Sequence, residues 1–156
     1  MYSKGVLMRM NVTNEVTMVF DSLSSNEAFA RSAVAAFVMQ LDPTIGEIGD
    51  IKTAVSEAVT NCVVHAYHGI TGKIRLNVRF TSDHIVIIRI SDKGCGIEDI
   101  HKAMEPLYTT SPEEDRAGLG FAVMQSFCDS VNVRSVPGRG TTVTLKKKLS
   151  PRYPNA

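Results

Sequence analysis

Two pairs of strand-like runs frame this chain. Lys73–Phe80 and His84–Ser91 are rich in β-branched residues and join through only Thr81-Ser82-Asp83. Ser130–Ser135 and Thr141–Leu149 join through VPGRG, a turn-forming string, and pair as a hairpin. A looser alternation over Asn11–Phe20 (Val12, Val16, Met18, Phe20) adds a fifth strand. Two helical patterns lie between this strand and the first pair. The earlier one covers about Asn26–Leu41, with Ser24 and Glu27 at capping-box spacing and a stripe of Phe29, Ala33, Ala36, Phe37 and Gln40/Leu41. Asp42-Pro43 ends it and leads into the next. That second helix runs from Ile45 or Ile48 to Tyr67, with Ile48, Ile51, Val55, Ala58, Val59, Cys62 and Ala66 on one stripe, and breaks at Gly69–Gly72. A third helix is expected over Gly118–Asp129. Helices gathered between strands in this order predict an α+β two-layer sandwich, its helices on one face of a mixed, mostly antiparallel sheet.

At 156 residues the chain has the length of one domain, read as 11–149 with a loose extension over 1–10 and a tail over 150–156. Seventeen basic against sixteen acidic residues argue against nucleic acid as a direct partner. No stretch is apolar enough for a membrane span or a signal peptide. Cys62, Cys95 and Cys128 are odd in number with no CxxC, which disfavours a metal site and a disulfide framework and suits a reducing cytoplasm. Cys95–Ala117 is polar, broken by proline and weakly patterned, and reads as a functional lid.

The residues able to carry chemistry are scattered. Glu57 and Asn61 stand four apart on the second helix and share a face, which the same step extends to His65. An Asn carbonyl oxygen suits Mg²⁺, and a Glu one turn away suits a base. Taken alone, the pair is also what a solvated helix face looks like. SDKGCGI (Ser91–Ile97) ends a strand in Asp92 and then places Gly94 and Gly96 around Cys95, which any turn could do. RAGLGFAV (Arg116–Val123) opens a helix with Gly118 and Gly120, where free N–H groups favour an anion. GRGTTVTL puts Gly138 and Gly140 in a hairpin turn and Thr141 at the start of the last strand.

The succession E-x-x-x-N, D-x-G-x-G, lid, G-x-G and G-T-T resembles the GHKL family of Bergerat-fold ATP binders over about Asn11–Lys148. The resemblance implies that Asp92 accepts the adenine amino group, that Gly94 and Gly96 let the backbone approach base and ribose, and that Thr141 helps hold adenine. It further implies that Asn61 ligates Mg²⁺, that Glu57 is the base, and that Gly118 and Gly120 offer amides to the phosphates. His65 falls in the same nucleotide site, Thr110 and Arg116 become lid contacts, Arg116 and Arg31 contact partners, and Cys95 is a spacer.

NEAFARSAVAAFVMQLDPT, IKTAVSEAVTNCVVHAY, EPLYTTSPEEDRAGLGF and GTTVTLKK are similar to the stand-alone anti-sigma kinases of the family, whose other branches need a dimerisation helix or transducer domains. Ala66 and Tyr108 depart from the Gly and Phe frequent there. This branch implies a homodimeric serine/threonine-protein kinase that uses ATP/ADP and Mg. It would bind sporulation sigma F and phosphorylate a serine of an anti-anti-sigma factor. A stress-response sigma B counterpart, a noncatalytic nucleotide-gated binding module and a detached histidine-kinase-like catalytic domain are the competing readings.

Overall fold

The computed structural model describes residues 11–106 and 119–151. The elements are β1 (Val12–Asp21), α1 (Ser25–Val38), α2 (Ile45–Asn61), β2 (Lys73–Thr81), β3 (Ile85–Asp92), the single turn α3 (Ile100–Ala103), α4 (Gly120–Phe127), β4 (Ser130–Val136) and β5 (Gly140–Lys148). The strands form one sheet in the order β1-β2-β3-β5-β4, antiparallel at each of its four pairings. The chain leaves β3 at Asp92 and returns as β5 beside it, so Ser91 pairs with Thr142. That return brings the two motifs at Asp92 and Thr141 side by side.

Strand alternation sorts the sheet into two faces. Ile74, Leu76, Val78, Val86, Ile88, Ile90, Val143 and Leu145 are buried against the helices, with Val34, Ile51, Val55, Val59 and Met124 meeting them. Each such side chain contributes roughly 1.5–3 kcal/mol relative to exposure. The opposite face carries Arg75, Arg79, Arg89, Arg134, Lys146 and Lys148 at alternate positions. A net charge of +1 hides this segregation.

The first helix departs from its sequence reading in two ways. Ser24 is itself in helical conformation and its side chain caps nothing. Glu27 instead accepts both hydrogen bonds from Arg31, and Asn26 Nδ2 ties the entry to the Asp21 carbonyl. The reciprocal capping box belongs to α2, between Thr44 and Glu47. Secondly, α1 buries Ala30, Val34 and Val38, about one residue round from the expected stripe, and Phe29 is 53% exposed. Small residues allow α1 to approach α2 closely, while Phe29 meets Phe20 edge-on at 6.0 Å. On α2 and the turn after it the expected stripe is buried from Ile51 to Cys62, with Ala54 added, while Ile48 and Ala66 are only half-buried.

The second helix also ends differently. After Asn61 the coil loosens into a π-helical turn, Cys62–Ala66, before Tyr67. The expected helix at Gly118–Asp129 is observed as α4 from Gly120, and Gly118 lies outside the described residues.

Candidate functional site

Alternation along β3 determines where the site begins. Val86, Ile88 and Ile90 point into the core, so Asp92, two residues further on, points the same way and is only 9% exposed. Burial raises its carboxyl above the ordinary aspartate range, and three donors oppose that rise. Gly94 N and Thr141 N donate to Oδ1 at 2.9 and 3.2 Å, and the Cys62 thiol donates to Oδ2 at 3.5 Å. The Cys62 thiol is in turn pushed well up, by burial and then by the Asp92 charge.

The glycines around Asp92 have a packing reason that their sequence positions do not disclose. A Cβ on Gly94 would overlap the Ala66 carbonyl oxygen, whose lone pair takes the Cys95 N–H at 2.8 Å. Gly96 has φ +74, and a Cβ there would strike the Val136 carbonyl oxygen. The hairpin turn after β4 thus lies against the Asp92 loop, and Gly138 N donates to Cys95 O at 2.7 Å. Ser135 joins these parts, its Oγ accepting from Ile97 N at 2.7 Å and sharing a hydrogen with Thr141 Oγ1 at 2.8 Å.

The other end of the site is built on α2. One helical turn separates Glu57 from Asn61, and both reach the first residue of α4. A Cβ on Gly120 would stand 3.2 Å from Asn61 Oδ1 and 3.4 Å from Glu57 Oε2. A side chain at this position would press on both oxygens, and glycine lets the start of α4 sit close to them without that contact. The Asn61 carbonyl oxygen is a hard donor that fits Mg²⁺, which keeps waters and shares phosphates, with the Glu57 carboxylate one turn away. Among the described residues no group of three or more His, Cys, Asp or Glu is placed to hold a metal ion by itself.

Between the two ends lies a cavity of about 560 Å³, lined among others by Asn61, His65, Asp92, Gly96, Gly120 and Thr141. These six are expected site residues, and the fold brings them together. Glu57 and Gly94 border it through the contacts given above. Thr110, Arg116 and Gly118, together with Tyr108 and the rest of 107–117 in the expected lid, lie outside the described residues. Arg31 is elsewhere. It lines a separate shallow groove between α1 and α2 with Lys52, Thr53 and Ser56.

Sequence reasoning missed several members of the site. Lys102 on α3 and Phe121 on α4 line the cavity; Lys102 fell in the segment that showed no pattern. Tyr67 locks the rim, its hydroxyl donating to Lys73 O at 2.6 Å and accepting from Lys93 N at 2.9 Å. Cys95, read as a spacer, has His68 Nε2 3.4 Å from its sulfur. His68 holds φ +46, which a sequence does not announce.

The profile of the histidine kinase-like ATPase domain matches residues 21–147, which include both ends of the cavity. The chain is 56% identical over 140 residues to the anti-sigma F factor of Thermoanaerobacter sp. (strain X514), covering 90% of this chain and 97% of that one. It is 49% identical over 138 residues to the anti-sigma F factor of Bacillus subtilis (strain 168), covering 88% and 94%. The chain belongs to the anti-sigma F factor family. Its fold is similar to the RsbU and RsbW domains of a Mycobacterium tuberculosis protein, with a TM-score of 0.65 at 20% identity over 88% of this chain and 33% of that one. It is also similar to the mycobacterial sensor histidine kinase MprB, with a TM-score of 0.52 at 15% identity over 86% of this chain and all of that one. The α+β sandwich read from the sequence is the fold of these relatives, and the family is a branch of the ATP binders that the motifs resemble. No helix among the described residues is long and apolar enough to cross a membrane.

Proposed function

We propose that this chain is an ATP-dependent protein-serine/threonine kinase that also acts as an anti-sigma factor. One observation carries the nucleotide half of this reading. A buried carboxylate at one end of the cavity and a Glu/Asn pair against a helix N-terminus at the other match the two ends of a nucleotide. Asp92 accepts the exocyclic amino group of adenine, with Thr141 and Gly96 beside the base. The amides at the start of α4 take the phosphates, because helix N-terminal N–H groups favour anions. Asn61 Oδ1 would hold Mg²⁺, which would neutralise phosphate charge. Glu57 orients the acceptor hydroxyl and takes its proton, and His65 stands on the cavity wall between these groups. Thr110, Arg116 and Gly118 belong to the same proposal as phosphate or partner contacts.

The names of the relatives support the other half. A sporulation sigma F is the bound partner, and a serine on an anti-anti-sigma factor is the phosphoryl acceptor. Self-association as a homodimer and a cytoplasmic setting complete the reading. Arg31, beside Lys52 in the α1–α2 groove, offers a basic docking point outside the nucleotide cavity.

Incubating the chain with γ-labelled ATP, Mg²⁺ and its candidate antagonist tests the proposal. Label recovered as phosphoserine on the antagonist is the expected result. Binding without transfer would reduce the chain to a nucleotide-gated module, and label on histidine would assign it to histidine-kinase chemistry.

A further inference from the structure

The mechanism above uses Asp92 as an acceptor but leaves open what aims it. A carboxylate has about four lone-pair directions. On Oδ1, Gly94 N at 2.9 Å and Thr141 N at 3.2 Å occupy the acceptor positions. On Oδ2, the only donor among the described residues is the thiol of Cys62, at 3.5 Å. Cys62 is 5% exposed and is the first residue of the π-helical turn. Cys62 keeps helical dihedrals, φ −64 and ψ −43, so the core-facing stripe of α2 carries its sulfur, immediately after Asn61, onto the end of β3. Both residues line the cavity.

We propose that Cys62 is a positioning residue for base recognition: its thiol holds Asp92 so that the remaining lone pair of Oδ2 faces the cavity. The inference rests on the adenine-nucleotide reading given above. Three donors from three elements, the Asp92 loop, β5 and the π-helical turn, then fix the carboxylate plane. A carboxylate so held can only accept, so the base edge must donate. That favours a 6-amino purine over a keto purine, whose oxygen would meet Oδ2 as a second acceptor. A cysteine suits the place because it packs as a small apolar group yet keeps one weak donor.

Calorimetry on the full chain tests this with two probes, Mg·ADP and the Mg complex of purine riboside 5′-diphosphate, the same nucleotide without its 6-amino group. Loss of one weak donor to a carboxylate in Cys62→Ala should weaken ADP binding by about three- to tenfold. Binding of the amino-free probe should stay within about twofold of the parent, since it makes no contact that Asp92 must aim. Cys62→Ser restores a donor of similar size and should return ADP affinity to within about twofold. A mere packing role predicts a different outcome, with both probes weakened together and serine no better than alanine, and that result would overturn the proposal. Asp92→Asn separates the two layers of the argument. If it binds ADP as the parent does, or if the parent does not distinguish the two probes, the adenine reading itself has failed. If Asp92→Asn loses ADP while Cys62→Ala does not, only the role of Cys62 has failed.

Discussion

Glu57 and Asp92 do different work because their surroundings differ. Glu57 stands beside Asn61 against the start of α4, where the proposed function puts the phosphates and the acceptor hydroxyl. Replacing it in Glu57→Gln should slow phosphoryl transfer by roughly 10²–10⁴-fold, the usual contribution of a positioned base, with Mg·ATP affinity little changed. Single-turnover transfer beside calorimetry measures both, and an unchanged transfer rate removes Glu57 from the chemistry. Asp92 is buried, and burial raises its carboxyl although Gly94, Cys62 and Thr141 donate to it. Recognition of an amino group needs the ionised form. Adenine affinity should therefore be full above the raised value and fall as pH drops through it, beginning at a higher pH than an ordinary aspartate would give. An ADP titration that stays flat down to the usual carboxylate range would contradict the assignment. Residue type and spacing left Glu57 and Asn61 open to a solvated helix face and Asp92 open to a plain turn, and only the order of the motifs singled them out. Cys62 was legible only as a member of an apolar stripe, because its partner lies 30 residues away across the fold.

Among the elements, α2 carries the most, since its stripe enters the core and its polar face and final turn supply the site. Its start is secured by Thr44 and Glu47, which cap each other reciprocally at 3.1 and 2.9 Å. Glu47 also accepts from Ser150 N at 2.7 Å, tying the end of the chain to this helix. Burial alone would raise the Glu47 carboxyl, but the hydrogen bonds from Ser150 and Thr44 outweigh it and hold it below its usual value. Its contribution to stability is thus present above the unfolded-state carboxylate value and is lost as pH falls through the lower folded one. Thr44→Ala should destabilise by about 1 kcal/mol in urea unfolding at neutral pH. A midpoint identical to the parent's would show that the cap contributes nothing. The same spacing of a hydroxyl and a glutamate at Ser24 and Glu27 misleads, because Arg31 one turn on takes the glutamate away. The π-helical turn at Cys62–Ala66 was not legible either. The periodic pattern continues through it, and the loosening answers the Ala66 carbonyl, which reaches out to Cys95 N across Gly94.

At the scale of the whole molecule, the sheet order turns separate motifs into one site. Strand existence and hairpin pairing could be read from alternation and short connections. The return of β5 beside β3, which places Thr141 N on the Asp92 carboxylate 49 residues away, could be reached only through the resemblance of the motif order. The contact of Gly120 with Glu57 and Asn61 is of the same kind, since no local preference encodes a distance between two helices. The charge pattern belongs here too, because composition showed balance while the sheet gathers cations on its open face. The central claim is that the two ends of the cavity hold one Mg·nucleotide. A crystal structure of the chain with Mg²⁺ and a non-hydrolysable ATP analogue tests it most directly. The account predicts the adenine amino group on Asp92, the phosphates at the start of α4 and the metal on Asn61. Nucleotide seated in the Arg31 groove, or with its base turned away from Asp92, would contradict it.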